Sequence, residues 1–328
     1  MKSNPLLSII IPTRNSAASL EECLLAVQNQ TYKNIEIIIS DGHSTDNTLS
    51  IAKKYNARIV ANHKLLAEPG VTLGFQESHG DILIVLAIDN IFRDEFAFER
   101  LAKIFSNPEI FAAFPKHVSS KSDSIFTKYV NTFTDPFNHF LYGYASNSRT
   151  FNKIFKTLEH TNLYDLYDFK SSNINPVIAV AQGFAVRREF LNIKRNEMDD
   201  ISPVLNLIKE GKKIAYAHSI DLYHHTIKNM NHFIRKQRWA TKNAFMGETF
   251  GINSRSHLLT MSQKIMVYFY PAYSISVVLP CINALCHLII DRESMWIFHP
   301  IISFLSGFSI VYEISRLKLG LTKEISRQ

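Results

Sequence analysis

The chain opens on an alternation of short apolar runs and longer amphipathic stretches. "LLSIII" (6–11) is a β-rich run closed by Pro12, and "SAASLEECLLAVQNQ" (16–30) carries apolar residues at helical spacing behind Ser16 or Ser19 as N-cap. "IEIIIS" (35–40) predicts a second strand, and "STDNTLSIAKKY" a second helix capped by Asp46 and Thr48. "ARIVA" is a third strand, "VTLGFQESHG" a helix ended by Gly80, and "DILIVLAI" (81–88) a buried strand. Strands alternating with helices predict a parallel sheet covered on both faces. Ligands in such folds bind beyond the carboxyl ends of the strands, where Thr13, Asp41 and Asp89 fall.

Periodicity weakens over 115–180, a stretch rich in aromatic, Asn and Ser residues that reads as long loops and short helices around a site. "PVIAVAQGFAVRREFL" restores strand character through Gly183. "DDISPVLNLIKEGKKIAYAH" (199–218) reads as a helix stopped at Gly211 and then a strand. Residues 228–248 are basic with interleaved aromatics.

The C-terminal part differs. Ile265–Ile290 contains no Asp, Glu, Lys or Arg, and a second uncharged run follows "DRE" from Ser294 to Tyr312. Each is long enough to cross a bilayer, which takes roughly 20 apolar residues. Joined by so short a loop they predict a hairpin. Lys264 before it and Arg316, Lys318 and Lys323 after it put both ends in the cytosol. Tyr268, Tyr270, Tyr273, Trp296 and Tyr312 sit where interface anchors sit. A pair of core helices or a re-entrant hairpin in one leaflet is the alternative.

Composition adds limits. With 328 residues, 46% hydrophobic and 20% charged, the chain has ample length for a core and is not of disordered type. Its net charge of +7 suits anionic lipid or a phosphorylated substrate. Nucleic acid is not expected, because the basic residues flank the hydrophobic runs. Cys23, Cys281 and Cys286 are too few and scattered for a disulfide framework or a zinc site. The opening "MKSNPLLSIIIPTRN" does not read as a signal peptide.

"SIIIPTRN", "QNQTYKNIEIIISDGHSTDNT" and "HGDILIVLAIDN" follow one another in an order and spacing that resembles family 2 glycosyltransferases of the GT-A fold, over about residues 5–225. The resemblance implies an α/β nucleotide-sugar fold with a mostly parallel central sheet flanked by helices, here followed by the C-terminal hydrophobic hairpin. The expected divisions are a catalytic domain over 1–227, a basic amphipathic interfacial segment over 228–263, and a two-helix membrane hairpin with a basic tail over 264–328.

A carboxylate at a strand end, such as Asp41, can accept hydrogen bonds from a ribose hydroxyl or the imide N–H of uracil; a plain turn residue is the alternative. By the resemblance Asp41 contacts the nucleoside, Pro12, Thr13, Arg14 and Asn15 line the base pocket, and Glu68 has a weaker claim to a nucleotide contact. The strand at 81–88 usually ends in Asp-x-Asp-Asp in the family. Here Ala87 holds the first position, Asp89 the second and Asn90 the last. Asp89 is therefore the expected ligand of Mg²⁺ or Mn²⁺ at the donor diphosphate. One carboxylate suffices in principle, because Mg²⁺ keeps waters and takes substrate oxygens.

Asp199 and Asp200 precede Gly211 at the family's distance for its acidic pair, so Asp200 is the expected general base with Asp199 supporting it. Adjacent acids at a helix start are also favoured by the helix dipole alone. Gln182 and Gly183 match an acceptor-side loop, and one of His224 and His225 is expected at the diphosphate or metal. Arg187 and Arg188 read as a solvated face, with a phosphate contact as the alternative. "RKQRW" (235–239) lacks the Gln that begins the Gln-x-x-Arg-Trp motif of processive synthases, so polymerisation is not inferred. The stretch reads better as lying on anionic headgroups.

The expected function is an inverting transferase facing the cytosol, taking a UDP- or GDP-sugar and a membrane-associated acceptor, either polyprenyl phosphate or a lipid-linked glycan. Membrane lipid is the expected environment, and a homo-oligomer stays open. The alternatives are a catalytically impaired nucleotide-sugar-binding subunit and a transferase acting on a soluble polysaccharide.

Overall fold

The computed structural model describes residues 4–170, 172, 176, 183–189, 202–246 and 259–321. The chain divides into two units, Met1–Val118 with Ser148–His224, and Ser119–Asn147 with His225–Gln328. No local sequence pattern announces the grouping of residues 119–147 with the C-terminal part.

Among the described residues the first unit is built on a ten-stranded sheet. Its strands are β1 (Leu7–Thr13), β2 (Ile35–Asp41), β3 (Arg58–Ala61), β4 (Ile82–Val85), β5 (Asn90–Phe92), β6 (Ile110–Val118), β7 (Thr157–His160), β8 (Asp165–Tyr167), β9 (Ala185–Arg187) and β10 (Lys213–His224). They lie in the order β3-β2-β1-β4-β9-β6-β10-β8-β7, with β5 also on β10. β3, β2, β1 and β4 are mutually parallel, as are β6 and β10. β9 runs against both β4 and β6, and β5 and β8 run against β10, so the sheet is mixed.

Burial follows the expected periodicity. β1 buries Leu7, Ile9, Ile10 and Ile11 completely, and α1 (Ala17–Gln28) covers the sheet with Leu20, Cys23, Leu24 and Val27. Helix α3 (Ala67–Glu77) follows α2 (Thr48–Lys54) and approaches β1 closely. A Cβ at Gly74 would fall inside the radius of Ile10 Cγ2, and one at Gly70 would lie 3.1 Å from Pro12 Cβ.

The fourth strand is shorter than expected. Leu86 N–H donates to Ile10 O, and the next donor on that edge of β1 would be residue 12, a proline without an N–H. The chain therefore leaves the sheet after Leu86. It turns through Ala87–Asp89, closed by Asn90 N–H on Ala87 O, and returns as β5. Arg187 also differs from expectation: it is buried, and its guanidinium donates to the carbonyls of Phe105, Asn107 and Ile110. It caps the end of α4 (Ala97–Ile104), where orphan carbonyls favour a cation.

The second unit is helical: α5 (Ile125–Phe133), α6 (Pro136–Tyr142), α8 (Met230–Met246), α9 (Met261–Ile275), α10 (Val278–Asp291) and α11 (His299–Lys318), with α7 (Ser202–Glu210) belonging to the first unit. Ser124 caps α5, and Asp135 caps α6 with Pro136 at its first position. Among the described residues one helix, Ser294–Lys318, is long and apolar enough to cross a membrane. The run expected as one span at 265–290 forms α9 and α10, which together are long and apolar enough for a span but are bent by 94°, the geometry of a broken span or a re-entrant loop. In a continuous helix the ring of Pro280 would clash with Ser276 O, so the helix stops and restarts with Pro280 in the first turn of α10.

Tyr270 and Trp296, expected as interface anchors, are fully buried; Trp296 donates to Asp291 and stacks on His287. The basic helix α8 turns part of its charge inward. Arg238 Nε donates to the buried Glu313 of α11 at 2.7 Å, and Lys236 Nζ to Thr226. Arg235 and Trp239, one turn apart, are exposed.

Two stability outcomes follow. Gly74→Ala gains up to about 1 kcal/mol of helix propensity but overpacks against Ile10, which costs about 1–3 kcal/mol, so thermal unfolding should show net destabilisation. Arg238→Ala leaves Glu313 buried and uncompensated, which costs about 3–5 kcal/mol, whereas the paired change Arg238→Met with Glu313→Leu should recover most of that loss in the same assay.

Candidate active site

Two clusters of side chains form at the carboxyl ends of the parallel strands. The first is built on β1 and β2, where Thr13 and Asp41 are register partners. Asp41 is 5% exposed, and both its oxygens accept from Ser44, Oδ2 from the backbone N–H at 2.9 Å and Oδ1 from the hydroxyl at 2.5 Å. Gly42 N–H donates to Thr13 O, which locks the two strand ends together.

Asn15, at φ +48°, knits the loops further. Its N–H donates to Ser44 Oγ, and its Oδ1 accepts from Thr45 N–H at 2.8 Å. Asp46 accepts from Thr48 and from Ala17 N–H, and the Thr48 hydroxyl bond holds its carboxyl below the usual range. It thus ties the start of α1 to the start of α2. The Thr13 and Ser40 hydroxyls are buried without protein partners, polar atoms that a bound ligand could satisfy. Arg14 and Asn15 are exposed and Pro12 is half-buried. Glu68 lies in the first turn of α3, half-buried. His43 and His63, which the sequence reading did not single out, meet at this edge with Nε2 and Nδ1 3.0 Å apart.

The second cluster lies where the chain leaves β4. Asp89 Oδ2 is 3.9 Å from His224 Nε2, with the Asp89 side chain a third exposed and His224 buried. β5 makes this juxtaposition, because Asn90 pairs directly with His224. Asn90 is buried and its Oδ1 has no protein partner. Gly183, at φ +63°, approaches Leu222 so closely that a Cβ would lie 2.8 Å from its Cδ2. The same Cβ would make ordinary contact with Asn90 Nδ2 at 3.6 Å, so the positive φ, with the approach of Leu222, is what favours glycine here.

The ring of His117 lies 5.2 Å from that of His224, and its Nε2 is buried and unpartnered. Burial, with His224 adding to it and Asp89 opposing, pushes the His117 pKa down to about 3. His117 was missed in the sequence because "PKHV" carries no motif. His225, the other histidine expected near the diphosphate, belongs to the second unit, where its Nδ1 bonds Asp123 Oδ1 at 2.7 Å. Asp199, Asp200 and Gln182 lie outside the described residues.

The second cluster suits a divalent cation. Adjacent octahedral ligands about 2.1 Å from one ion lie about 3.0 Å apart, so the 3.9 Å between Asp89 Oδ2 and His224 Nε2 would close by roughly an ångström on binding, within reach of a rotation of the partly exposed Asp89 side chain. The Asp89 carboxylate and the Asn90 oxygen are donors that Mg²⁺ or Mn²⁺ accepts, and the imidazole suits Mn²⁺ better than Mg²⁺.

Comparison with known proteins agrees with this architecture. Residues 8–192 match the family described as Glycosyl transferase family 2, more than half of the chain, and the protein belongs to that family. Its fold is the GT-A fold of these transferases. The structure is similar to that of the mannosyltransferase PcManGT from Pyrobaculum calidifontis, solved with GDP-Man and Mn²⁺, with a TM-score of 0.53 at 14% identity, covering 95% of this chain and 88% of that one.

Among curated relatives, a GalNAc(5)-diNAcBac-PP-undecaprenol beta-1,3-glucosyltransferase of Campylobacter jejuni is 45% identical over 49 residues, 15% of this chain and 16% of that protein. A PGL/p-HBAD biosynthesis glycosyltransferase of Mycobacterium bovis is 52% identical over 48 residues, 15% of this chain and 19% of the relative. The matched stretches thus span less than a fifth of either relative.

Cys23 beneath the second cluster gives a direct check on burial. Its Sγ lies 3.6 Å from Asn90 O, and burial, then the charges of Asp89 and Glu22, push its thiol up to about 12. A thiol of unfolded pKa near 9 held three units higher carries about 10³-fold less thiolate. In a Cys281→Ser, Cys286→Ser protein, maleimide at pH 8.5 should leave Cys23 unmodified until denaturant is added. Because the folded value is raised, the stability that Cys23 contributes is complete below pH 9 and is lost as pH rises toward 12.

Proposed function

We propose that this family 2 glycosyltransferase moves a sugar, with inversion, from a UDP- or GDP-sugar to a membrane-associated acceptor, a polyprenyl phosphate or a lipid-linked glycan, on the cytosolic face. The observation that carries this reading is the approach of Asp89 to His224 beside strands that end in Thr13 and Asp41. Asp89 and His224 would hold Mg²⁺ or Mn²⁺, with waters and donor oxygens as the other ligands. When bound, the cation supplies charge neutralisation at the departing diphosphate.

Asp41 and Thr13 would take the nucleoside, with Pro12, Arg14 and Asn15 around the base and Glu68 as a further nucleotide contact. Asn90 and Gly183, with Gln182, would meet the sugar or acceptor. Asp200, supported by Asp199, would take the proton of an acceptor hydroxyl. An acceptor that is already a phosphate anion needs no base, and the pair would then position it. Of the two histidines, His224 takes the diphosphate role, since His225 is bonded to Asp123.

The lipid acceptor is supported by exposed apolar side chains on the C-terminal helices, among them Tyr268, Leu285, Ile289 and Ile301, and by the undecaprenol-linked substrate named for the Campylobacter relative. Arg235 and Trp239 of α8 suit anionic headgroups. The cations at 316 and 318 favour a cytosolic C-terminal end. A second reading, a nucleotide-sugar-binding subunit without transfer activity, is favoured by Ala87 in the first acidic position of the family motif.

A donor screen on purified membranes, with and without Mn²⁺ or Mg²⁺, tests the proposal by lipid-extractable product. One UDP- or GDP-sugar should give metal-dependent product, and Asp89→Ala should lower kcat/KM at least about 100-fold with folding intact. Metal-independent transfer from every donor would contradict the role of Asp89. Product confined to the water phase would favour a soluble acceptor, and nucleotide binding without transfer from any donor would favour the second reading.

A further inference from the structure

The sheet edge opposite β3 carries a second convergence of metal-binding side chains. His160, the last residue of β7, pairs across the hairpin with Asp165, the first residue of β8. Asp165 pairs in turn with Tyr216 of β10, and His218 stands two residues further along that strand. Three adjacent strands thus deliver an imidazole, a carboxylate and a second imidazole to one place. Their ligand atoms all lie within 4.8 Å of one another.

An ordinary ion pair accounts for part of this arrangement, since His160 Nδ1 meets Asp165 Oδ1 at 2.5 Å. It does not account for His218, whose ring stacks 5.7 Å from that of His160. His218 Nε2 lies 3.2 Å from Thr161 O, and a proton held there leaves the lone pair on Nδ1. Histidines that bind metal are usually braced by such a carbonyl through the other ring nitrogen. The His160 side chain is 74% exposed and that of Asp165 17%, so an ion has access from solvent while the carboxylate is held in place.

We propose that His160, Asp165 and His218 form a surface site for Zn²⁺, with water as the fourth ligand, that clips the β7–β8 hairpin to β10. Two imidazoles and one carboxylate are a zinc donor set, whereas Mg²⁺ prefers an oxygen shell. The cluster shares no residue with Asp89 and His224, so the inference stands apart from the proposed transfer reaction.

The test uses the full chain, purified in detergent and stripped of metal, titrated with Zn²⁺ by calorimetry and checked for bound zinc after dialysis. The parent protein is compared with His160→Ala/His218→Ala, with Asp165→Asn, and with each of these in an Asp89→Ala background. Asp89→Ala alone should still bind one Zn²⁺. Adding the double change should remove that equivalent or raise its Kd at least about tenfold, with circular dichroism unchanged. Asp165→Asn, which barely alters shape, should weaken the same equivalent if the double variant proves unstable. Unchanged zinc binding in the folded double variant or in Asp165→Asn would overturn the proposal, as would an Asp89→Ala protein that binds no zinc.

Discussion

A missing hydrogen-bond donor at Pro12 governs the geometry of the edge where β4 ends. β1 and β4 pair in register up to Ile10 and Val85, and Leu86 still donates to Ile10 O. The next bond would need an N–H at residue 12, and without it β4 cannot continue. Ala87–Asp89 becomes an open turn instead of the buried end of a strand, and Asn90 enters the sheet in the opposite direction, facing His224. A carboxylate that would be costly to bury in a strand is thereby held at the surface beside an imidazole. The same proline lies under Gly70 of α3, so the residue that ends the ladder is also fixed by close helix packing.

The floor beneath this cluster is uncharged. The Cys23 thiol is held protonated and the His117 ring neutral, each chiefly by burial. A low-polarity floor under an open carboxylate strengthens that carboxylate's interaction with any cation arriving from solvent. The edge at Asp41 is built differently: Asp41 is already bonded through both oxygens to Ser44, and the loops around it are cross-linked by Asn15 and Asp46. One edge is preorganised by hydrogen bonds, while at the other the Asn90 side-chain oxygen has no protein partner among the described residues.

The alternation of strands and helices was legible because each buried run is short and uniformly apolar, so Thr13 and Asp41 could be assigned to strand ends from sequence. Long-range pairing was not legible. Nothing local in "NIF" says that it pairs with β10, so the approach of His224 to Asp89 shows only in the β5–β10 register. His117 was missed for the same reason, since it meets His224 only across the sheet. Arg187 was read as solvated because a buried arginine serving three carbonyls leaves no periodic trace. The uncharged run at 265–290 has the composition of one span, but composition does not register the clash of Pro280 with the preceding turn. Asp199 and Asp200 rest on their spacing from Gly211 alone.

The central claim is that Asp89 and His224 together hold the cation at the donor diphosphate. The most direct measurement is anomalous scattering from Mn²⁺ in crystals of the protein grown with a nucleoside diphosphate. The account predicts one manganese peak within about 2.1–2.3 Å of an Asp89 oxygen and of His224 Nε2, with the remaining ligands from diphosphate and water. A nucleotide bound at Asp41 with its manganese out of reach of Asp89 and His224 would contradict it.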